Sequence, residues 1–124
     1  MASSHGILDL GECTAAADLS AKQYYFAKLV GSKSLNIPTS ASDLALGVIQ
    51  NKPTSGKAVQ LRVAGTTKVI YGGTITAGDR VGTDNAGKAV TKTADGDLVA
   101  GIALSSGVAG DIHEIFLCPS QRGA

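Results

Sequence analysis

Short apolar segments alternate with glycine-containing breaks along most of the chain between Gly47 and Leu117. Val, Ile and Leu recur in short runs, and twelve of the sixteen glycines lie between Gly47 and Gly110. No long segment carries the apolar stripe of an amphipathic helix. This pattern is typical of short strands joined by tight turns. It predicts a small β-sandwich or β-barrel.

Glycine and proline mark where the predicted strands begin and end. Residues 58–63 alternate between apolar and polar positions and form the clearest strand. Gly65 is expected to turn the chain, so that residues 67–71 return beside that strand. Residues 98–104 form a later strand, and four of its apolar side chains share one face: Leu98, Ala100, Ile102 and Leu104. Pro119 is expected to end the last strand, since proline has no N–H to donate.

Strands this short, with small residues at glycine corners, favour closure over a wide open sheet. Closure also removes the open edges that invite aggregation. The predicted fold class is therefore all-β, a small closed or nearly closed antiparallel β-barrel with an extended N-terminal arm. We expect the arm at residues 1–20, the barrel at residues 21–118 and a C-terminal tail at residues 119–124.

The first twenty residues are small, polar and interrupted by glycine. Ile7, Leu8 and Leu10 are their only bulky cluster. This indicates an arm that orders only against the barrel or against a partner. A frayed tail is the alternative interpretation.

Residues 24–30 form a compact apolar run that favours a strand, and a loop is expected after Gly31. Tyr24 and Tyr25 at its start are either interface anchors, because aromatic residues are enriched in interfaces, or part of the core. With the apolar cluster of the arm they complete the predicted partner-contact residues: Ile7, Leu8, Leu10, Tyr24 and Tyr25.

Composition narrows the class of protein. The 124 residues leave room for one domain. With 44% hydrophobic and 17% charged residues, the chain is unlike disordered proteins and coiled coils. The formal net charge is +1, and the basic residues form no run, so no nucleic-acid partner is expected. No stretch is long and apolar enough to predict a membrane span, and no secretory signal is expected.

The most tempting catalytic motif is Gly82-Thr-Asp-Asn-Ala-Gly87-Lys88-Ala89, which has the spacing of a phosphate-binding loop. Such a loop needs Ser or Thr after the lysine and must open a helix. Here Ala89 follows, and the next residues favour a strand. The segment is therefore interpreted as a hairpin turn.

Other polar residues also lack a convincing catalytic pattern. The acidic residues Asp79, Asp84, Asp95 and Asp97 lie in predicted turns, where aspartate is a common turn residue. The two histidines, His5 and His113, would need both cysteines to complete a zinc site. Cys13 and Cys118 could pair if the chain ends meet, but two free thiols in a reducing compartment are favoured. We predict no catalytic residue, no cofactor and no metal site.

Six segments, taken in order, resemble the small capsid decoration, or cement, proteins of tailed bacteriophages. They are ALGVIQNKP at 45–53, AVQLRV at 58–63, GTTKV at 65–69, GGTITAGD at 72–79, NAGKAV at 85–90 and VAGIAL at 99–104. Gly110-Asp111 then precedes a final strand. The resemblance covers about residues 24–117, whereas the arm before residue 20 matches no known pattern.

The resemblance implies a non-enzymatic structural protein that binds the outer surface of a phage capsid and stabilises it. It also implies the major capsid protein as partner, a homotrimer, and a place on the capsid surface of the virion after synthesis in the host cytoplasm. The alternative is a small β-barrel binding module for carbohydrate or another small ligand. An enzyme, suggested only by the loop at Lys88, is a third class.

Overall fold

The computed structural model describes residues 7–94 and 96–121, with side chains described as far as Cys118. These residues form ten strands and no helix. The strands are β1 (Leu8–Leu10), β2 (Thr14–Ala15), β3 (Phe26–Gly31), β4 (Ser34–Asn36), β5 (Gly47–Ile49), β6 (Leu61–Ile70), β7 (Arg80–Thr83), β8 (Ala89–Thr91), β9 (Leu98–Ala103) and β10 (Ile112–Gln121).

The strands form one sheet with the order β2-β4-β3-β5-β6-β10-β9-β7-β8, and β1 pairs with β6 beside this path. Only the ladder between β2 and β4 is parallel among the described strand pairs. The all-β prediction is confirmed. The closed or nearly closed barrel is supported only in part, because the order has two ends and the sheet is not closed. An isolated bridge between Tyr71 and Ala89 brings β8 beside the end of β6.

β6 connects the two halves of the sheet. Its first residues pair with β5 and β1, and its later residues pair with β10. Gly65 lies where the partner changes, and its φ of 88° is a conformation that side chains with a Cβ rarely adopt. The predicted turn at Gly65 was wrong: the glycine redirects one continuous strand from β1 to β10 without reversing it.

Two other local expectations differ from the structure. β4 occupies a segment that was expected to be a loop, and it is stabilised by pairing with both β2 and β3. The chain also continues as β10 through Pro119 to Gln121. The register of β10 against β9 shifts between Leu117 and Ser120. Such an irregularity accommodates a proline, because one ladder N–H is not needed there.

Two apolar clusters form the core. The first fills the half of the sheet around β6 and β10, and its buried members are Phe26, Val48, Val69, Tyr71, Ile75, Val81, Ala89, Ala100, Ala103, Ile115 and Leu117. The second consists of Cys13, Ala15, Leu19, Ala27, Leu35, Ile49, Val59 and Leu61. Residues 13–19 therefore supply part of the core, although the division of the chain at residue 20 stays a prediction.

Aspartates order three of the turns in the same way. Asp79 accepts a hydrogen bond from the amide of Thr76 at 2.9 Å, and Asp111 accepts one from the amide of Val108 at 3.0 Å. Asp97 accepts one from the amide of Ala94 at 2.9 Å. The first two aspartates each follow Ala-Gly in the sequence. The third shows that these carboxylates serve local turn geometry.

Candidate interaction surface

Four large apolar side chains are exposed on one side of the sheet. Ile112 and Phe116 of β10 are 49% and 44% exposed, while the residues that alternate with them face inward. Ile102 of β9 and Leu104 just after it are 37% and 49% exposed. We call these four residues the outer face. Contiguous exposed apolar residues on a folded protein mark sites of interaction.

Strand register makes the outer face one continuous surface. Phe116 lies directly opposite Ile102. The amide of Leu104 donates to the carbonyl of Glu114 at 3.0 Å, which places Leu104 beside the position between Ile112 and Phe116. Side chains opposite each other on neighbouring strands have Cβ atoms about 5 Å apart. The four apolar side chains are therefore near neighbours around Glu114.

Charged groups lie in and beside the outer face. Glu114 is opposite Lys68 of β6, and Arg80 of β7 is opposite Ile102. Across residues 7–94 and 96–118, neither Glu114 nor Arg80 forms an ion pair. The ammonium of Lys68 instead lies 6.0 Å from the centre of the Tyr24 ring. Apolar and aromatic groups with an arginine at the margin are typical of protein interfaces.

The alternation of residues 98–104 predicted that Ile102 and Leu104 share one face, but not that this face is exposed. The sequence of β10 indicates an exposed apolar face. Both alternating sets of this strand are apolar, with Ile112 and Phe116 on one side and Ile115 and Leu117 on the other. In an antiparallel sheet one face commonly packs on the core and the other faces away from it, so a strand with two apolar sets indicates an exposed apolar face.

The two predicted contact tyrosines connect strands through their backbones. Tyr24 has a φ of 70°, and its amide donates to the carbonyl of Ile49 at 2.7 Å while its carbonyl accepts from Ile70 at 3.0 Å. The ring of Tyr25 lies 4.8 Å from the ammonium of Lys22. Both side chains are half-buried. Tyr24 borders the charged edge of the outer face through Lys68, so its role as a contact residue stays a prediction.

The predicted contact residues of the N-terminal segment lie on the other half of the sheet. Leu8 is 60% exposed, Ile7 is half-buried, and Leu10 packs against the second core cluster. β1 is fixed to β6 by Asp9, which accepts hydrogen bonds from Arg62. The contact role of these three residues, like that of the two tyrosines, stays a prediction.

The segment with phosphate-loop spacing is a hairpin. β7 pairs with β8, with Thr83 opposite Ala89. Asp84 accepts hydrogen bonds from the amides of Ala86 and Lys88 at 2.8 and 2.9 Å. Those amides are therefore engaged inside the turn, and no helix follows to bind a phosphate at its N-terminus.

The remaining chemistry-bearing residues are not gathered into a site. Cys13 is buried and Cys118 half-buried, and both thiols are free. His5 and Asp95 lie outside the described residues. Within the described chain, no group of three or more His, Cys, Asp or Glu side chains is placed to hold a metal ion. The same residues contain no helix that could cross a membrane.

Comparison with known proteins identifies the family. A family model of phage cement proteins matches residues 8–116. The chain belongs to the phage cement protein family. This confirms the resemblance found in the ordered strand and turn segments, and it extends to β1, which those segments did not include. The family is one of structural, capsid-associated phage proteins.

A solved structure shows the same fold. The N base of head fiber gp8.5 of bacteriophage phi29 superimposes with a TM-score of 0.65 and 18% identity, covering 95% of this chain and 99% of that chain. No curated protein matches the chain. The shared fold spans nearly the whole of both chains.

Proposed function

We propose that this cement protein binds the outer surface of an assembled phage capsid and stabilises it, with the major capsid protein as its partner. The observation that supports this most is the outer face, an apolar surface that the described residues of the chain leave exposed. A protein that acts by contact needs complementary shape and apolar area, which this surface supplies. Family membership gives the capsid as the place of action.

We also propose that the protein acts as a homotrimer on the capsid surface of the virion after synthesis in the host cytoplasm. Repetition of one contact by symmetry lets modest individual contacts add up to tight binding. Beside the four apolar residues of the outer face lie a cation and an anion, Arg80 and Glu114, that form no ion pair within the described residues. A surface with both signs of charge can pair with a like copy as well as with a shell subunit.

Binding to purified empty heads of the phage that encodes the protein tests the proposal. Occupancy is measured by co-sedimentation, and the mass of the free protein is measured by light scattering. We expect saturable occupancy, a free mass of three chains, and heads that resist heat better when occupied. A wild-type protein that remains in the supernatant at all concentrations would contradict capsid binding.

The variant Phe116→Asp tests the surface itself, because it places a charge in the middle of the outer face. We expect occupancy or trimer formation to fall at least tenfold while the fold is retained. Leu44→Asp is the matched control, since Leu44 is 65% exposed but belongs to no strand. If the two variants behave equally in both measurements, the outer face is not the surface through which the protein binds.

A further inference from the structure

A cavity of about 400 Å³ lies between the loop at residues 39–43 and the beginning of β9. Its lining residues are Ala41, Ser42, Lys92, Gly96, Asp97 and Leu98. The volume falls within the range of sites that take small ligands. It lies apart from the outer face, and neither the family assignment nor the turn chemistry explains it.

Lys92 makes the cavity chemically specific. Among the side chains that the structure describes, it is the one charged group in a buried residue, with 6% exposure. Its ammonium donates one hydrogen bond, to the carbonyl of Ala41 at 2.8 Å. An ammonium has three N–H donors, and the described residues place no carboxylate within 4.0 Å of it. Donors therefore remain for a molecule in the cavity.

The neighbouring strand fixes the course of the Lys92 side chain. Gly82 of β7 lies under its stem: a Cβ at that position would come within 2.9 Å of Cε of Lys92 and 2.5 Å of the carbonyl oxygen of Leu98. The space that Gly82 leaves is thus filled by the lysine stem. A long flexible side chain held in this way loses little further entropy when its ammonium binds a ligand.

The loop that carries the acceptor of Lys92, the carbonyl of Ala41, is also held in place. Asp43 accepts hydrogen bonds from the amides of Thr39 and Ser40 at 2.9 and 3.0 Å, which shapes the loop that contains Ala41. Lys28 donates to the same carboxylate at 2.8 Å and holds the pKa of Asp43 below its usual range. Asp43 is therefore ionised at neutral pH, and the loop keeps its shape.

Asp97 restricts which anion can enter. Its Oδ2 accepts from the amide of Ala94 at 2.9 Å, and it makes no ion pair with Lys92. A negative charge on the cavity wall disfavours a dianion, whereas a second donor on the ligand can bond to this carboxylate. The two residues together suit a single carboxylate that also carries an N–H or O–H group.

We propose that this cavity binds a carboxylate anchored by the ammonium of Lys92, with a donor of the ligand directed to Asp97. The carboxylate comes from a small organic acid or from an acidic side chain of a partner protein. The chemistry is the same in both cases. The site does not depend on capsid binding or on the outer face.

Amide chemical shifts of the full chain, followed by NMR during titration with N-acetyl-glutamate amide, test the site. We expect saturable shifts at Ser42, Lys92 and Leu98, and at least tenfold weaker binding of the neutral analogue N-acetyl-glutamine amide. Glycolate, a small acid with a hydroxyl donor, is the second probe. If glycolate binds as well as the capped glutamate, a free acid is the source; if the capped glutamate binds better, an acidic side chain is. Absence of saturable shifts with both acids overturns the proposal.

Lys92→Met keeps the stem over Gly82 and removes the charge. We expect its dissociation constant for the capped glutamate to rise about tenfold or more, the effect of losing a charge-assisted hydrogen bond. Lys57→Met, at an exposed lysine outside the cavity, should bind like the wild type. If Lys92→Met binds the capped glutamate as well as the wild type does, Lys92 only holds the loop in place and the proposal is overturned. If that variant does not fold, equal shifts of the wild type with the glutamate and glutamine probes overturn the proposal in the same way.

Discussion

The carboxylate of Asp9 in β1 and the guanidinium of Arg62 in β6 meet at two points across neighbouring strands. Nε of Arg62 lies 2.6 Å from Oδ1 and Nη2 lies 3.3 Å from Oδ2. Gln60 donates to the same carboxylate at 3.0 Å. β1 has only three residues, and two of them are exposed. This contact therefore adds a side-chain link to the backbone pairing between β1 and β6.

Asp9→Asn should lower the free energy of unfolding by about 0.5–1 kcal/mol at neutral pH, the size typical of a well-formed but partly exposed ion pair. Urea unfolding measures this difference. Glu12→Gln is the matched control, because its carboxylate lies 3.9 Å from Lys33 and both side chains are more than 70% exposed. Equal losses in the two variants would mean that the two-point geometry has no energetic effect.

The same ion pair predicts a dependence on pH. The hydrogen bond from Arg62 holds the pKa of Asp9 below its ordinary value. A carboxyl with a lowered pKa in the folded state stabilises the protein above its unfolded pKa of about 3.9, and this stabilisation disappears as the pH falls through the folded pKa. The difference between wild type and Asp9→Asn should therefore be full at neutral pH and shrink as the pH falls below the unfolded pKa of about 3.9. A constant difference across this range contradicts the assignment.

Gly101 in β9 is required because the neighbouring strand is too close for a side chain. An added Cβ would overlap the carbonyl oxygen of Phe116 and lie 3.2 Å from Cα of Leu117. Gly101→Ala should lower the free energy of unfolding by about 2 kcal/mol or more, since backbone cannot yield as a flexible side chain can. Gly11→Ala, with no atom within 4 Å of the added Cβ, should change it little. Thermal unfolding of both variants separates steric overlap from a general effect of replacing glycine.

Local chemistry made much of the fold predictable. Asp79 lies in a turn before β7 as predicted, because its carboxylate bonds to an amide only three residues away, and Asp111 does the same before β10. Alternation also located β9 at Leu98–Ala103 to within one residue of the predicted end. Such features depend on short stretches of chain, so they can be read from a short stretch of sequence.

Features that depend on distant strands were not predictable in this way. Gly65 has the local character of a turn, but β1 and β10 together keep its strand extended. Ile102 and Leu104 face outward because the small residues Gly101 and Ala103 pack inward against β10 and the core. The cavity at Lys92 forms from three separate parts of the chain. No local pattern contains that information.

Variants at Leu8 and Leu19 distinguish a role in folding from a role in partner contact within the N-terminal segment. Leu19 is 2% exposed in the second core cluster, so Leu19→Ala should lower the free energy of unfolding by about 2–4 kcal/mol. Leu8 is 60% exposed, so Leu8→Ala should change it by less than about 0.5 kcal/mol. Denaturant unfolding checks both values.

Measurement of capsid occupancy completes this comparison. If the arm contacts a partner as predicted, Leu8→Ala weakens occupancy while stability is preserved. Deletion of residues 1–20 cannot answer the question, because it also removes Leu19 and other buried side chains. Full occupancy by Leu8→Ala would count against Leu8 as a contact residue.

Tyr71 is the buried tyrosine at the centre of the first core cluster. Its hydroxyl donates to the carbonyl of Ser105 at 2.8 Å, and its ring centre lies 5.2 Å from that of His113. Burial raises the pKa of Tyr71 above its ordinary value of 10.0. Because the folded pKa is the higher one, the neutral phenol contributes its full stabilisation below about pH 10 and loses it as the pH rises through the folded pKa.

Tyr71→Phe should therefore lower the free energy of unfolding by about 1 kcal/mol below that pH, through loss of one hydrogen bond. It should also remove a late tyrosine transition, above about pH 10, from an alkaline absorbance titration. Tyr25→Phe is the matched control, since its hydroxyl forms no hydrogen bond within the described part of the chain. Tyr25→Phe should keep the late transition. If the late transition survives in Tyr71→Phe, it belongs to another tyrosine and the assignment to Tyr71 is wrong.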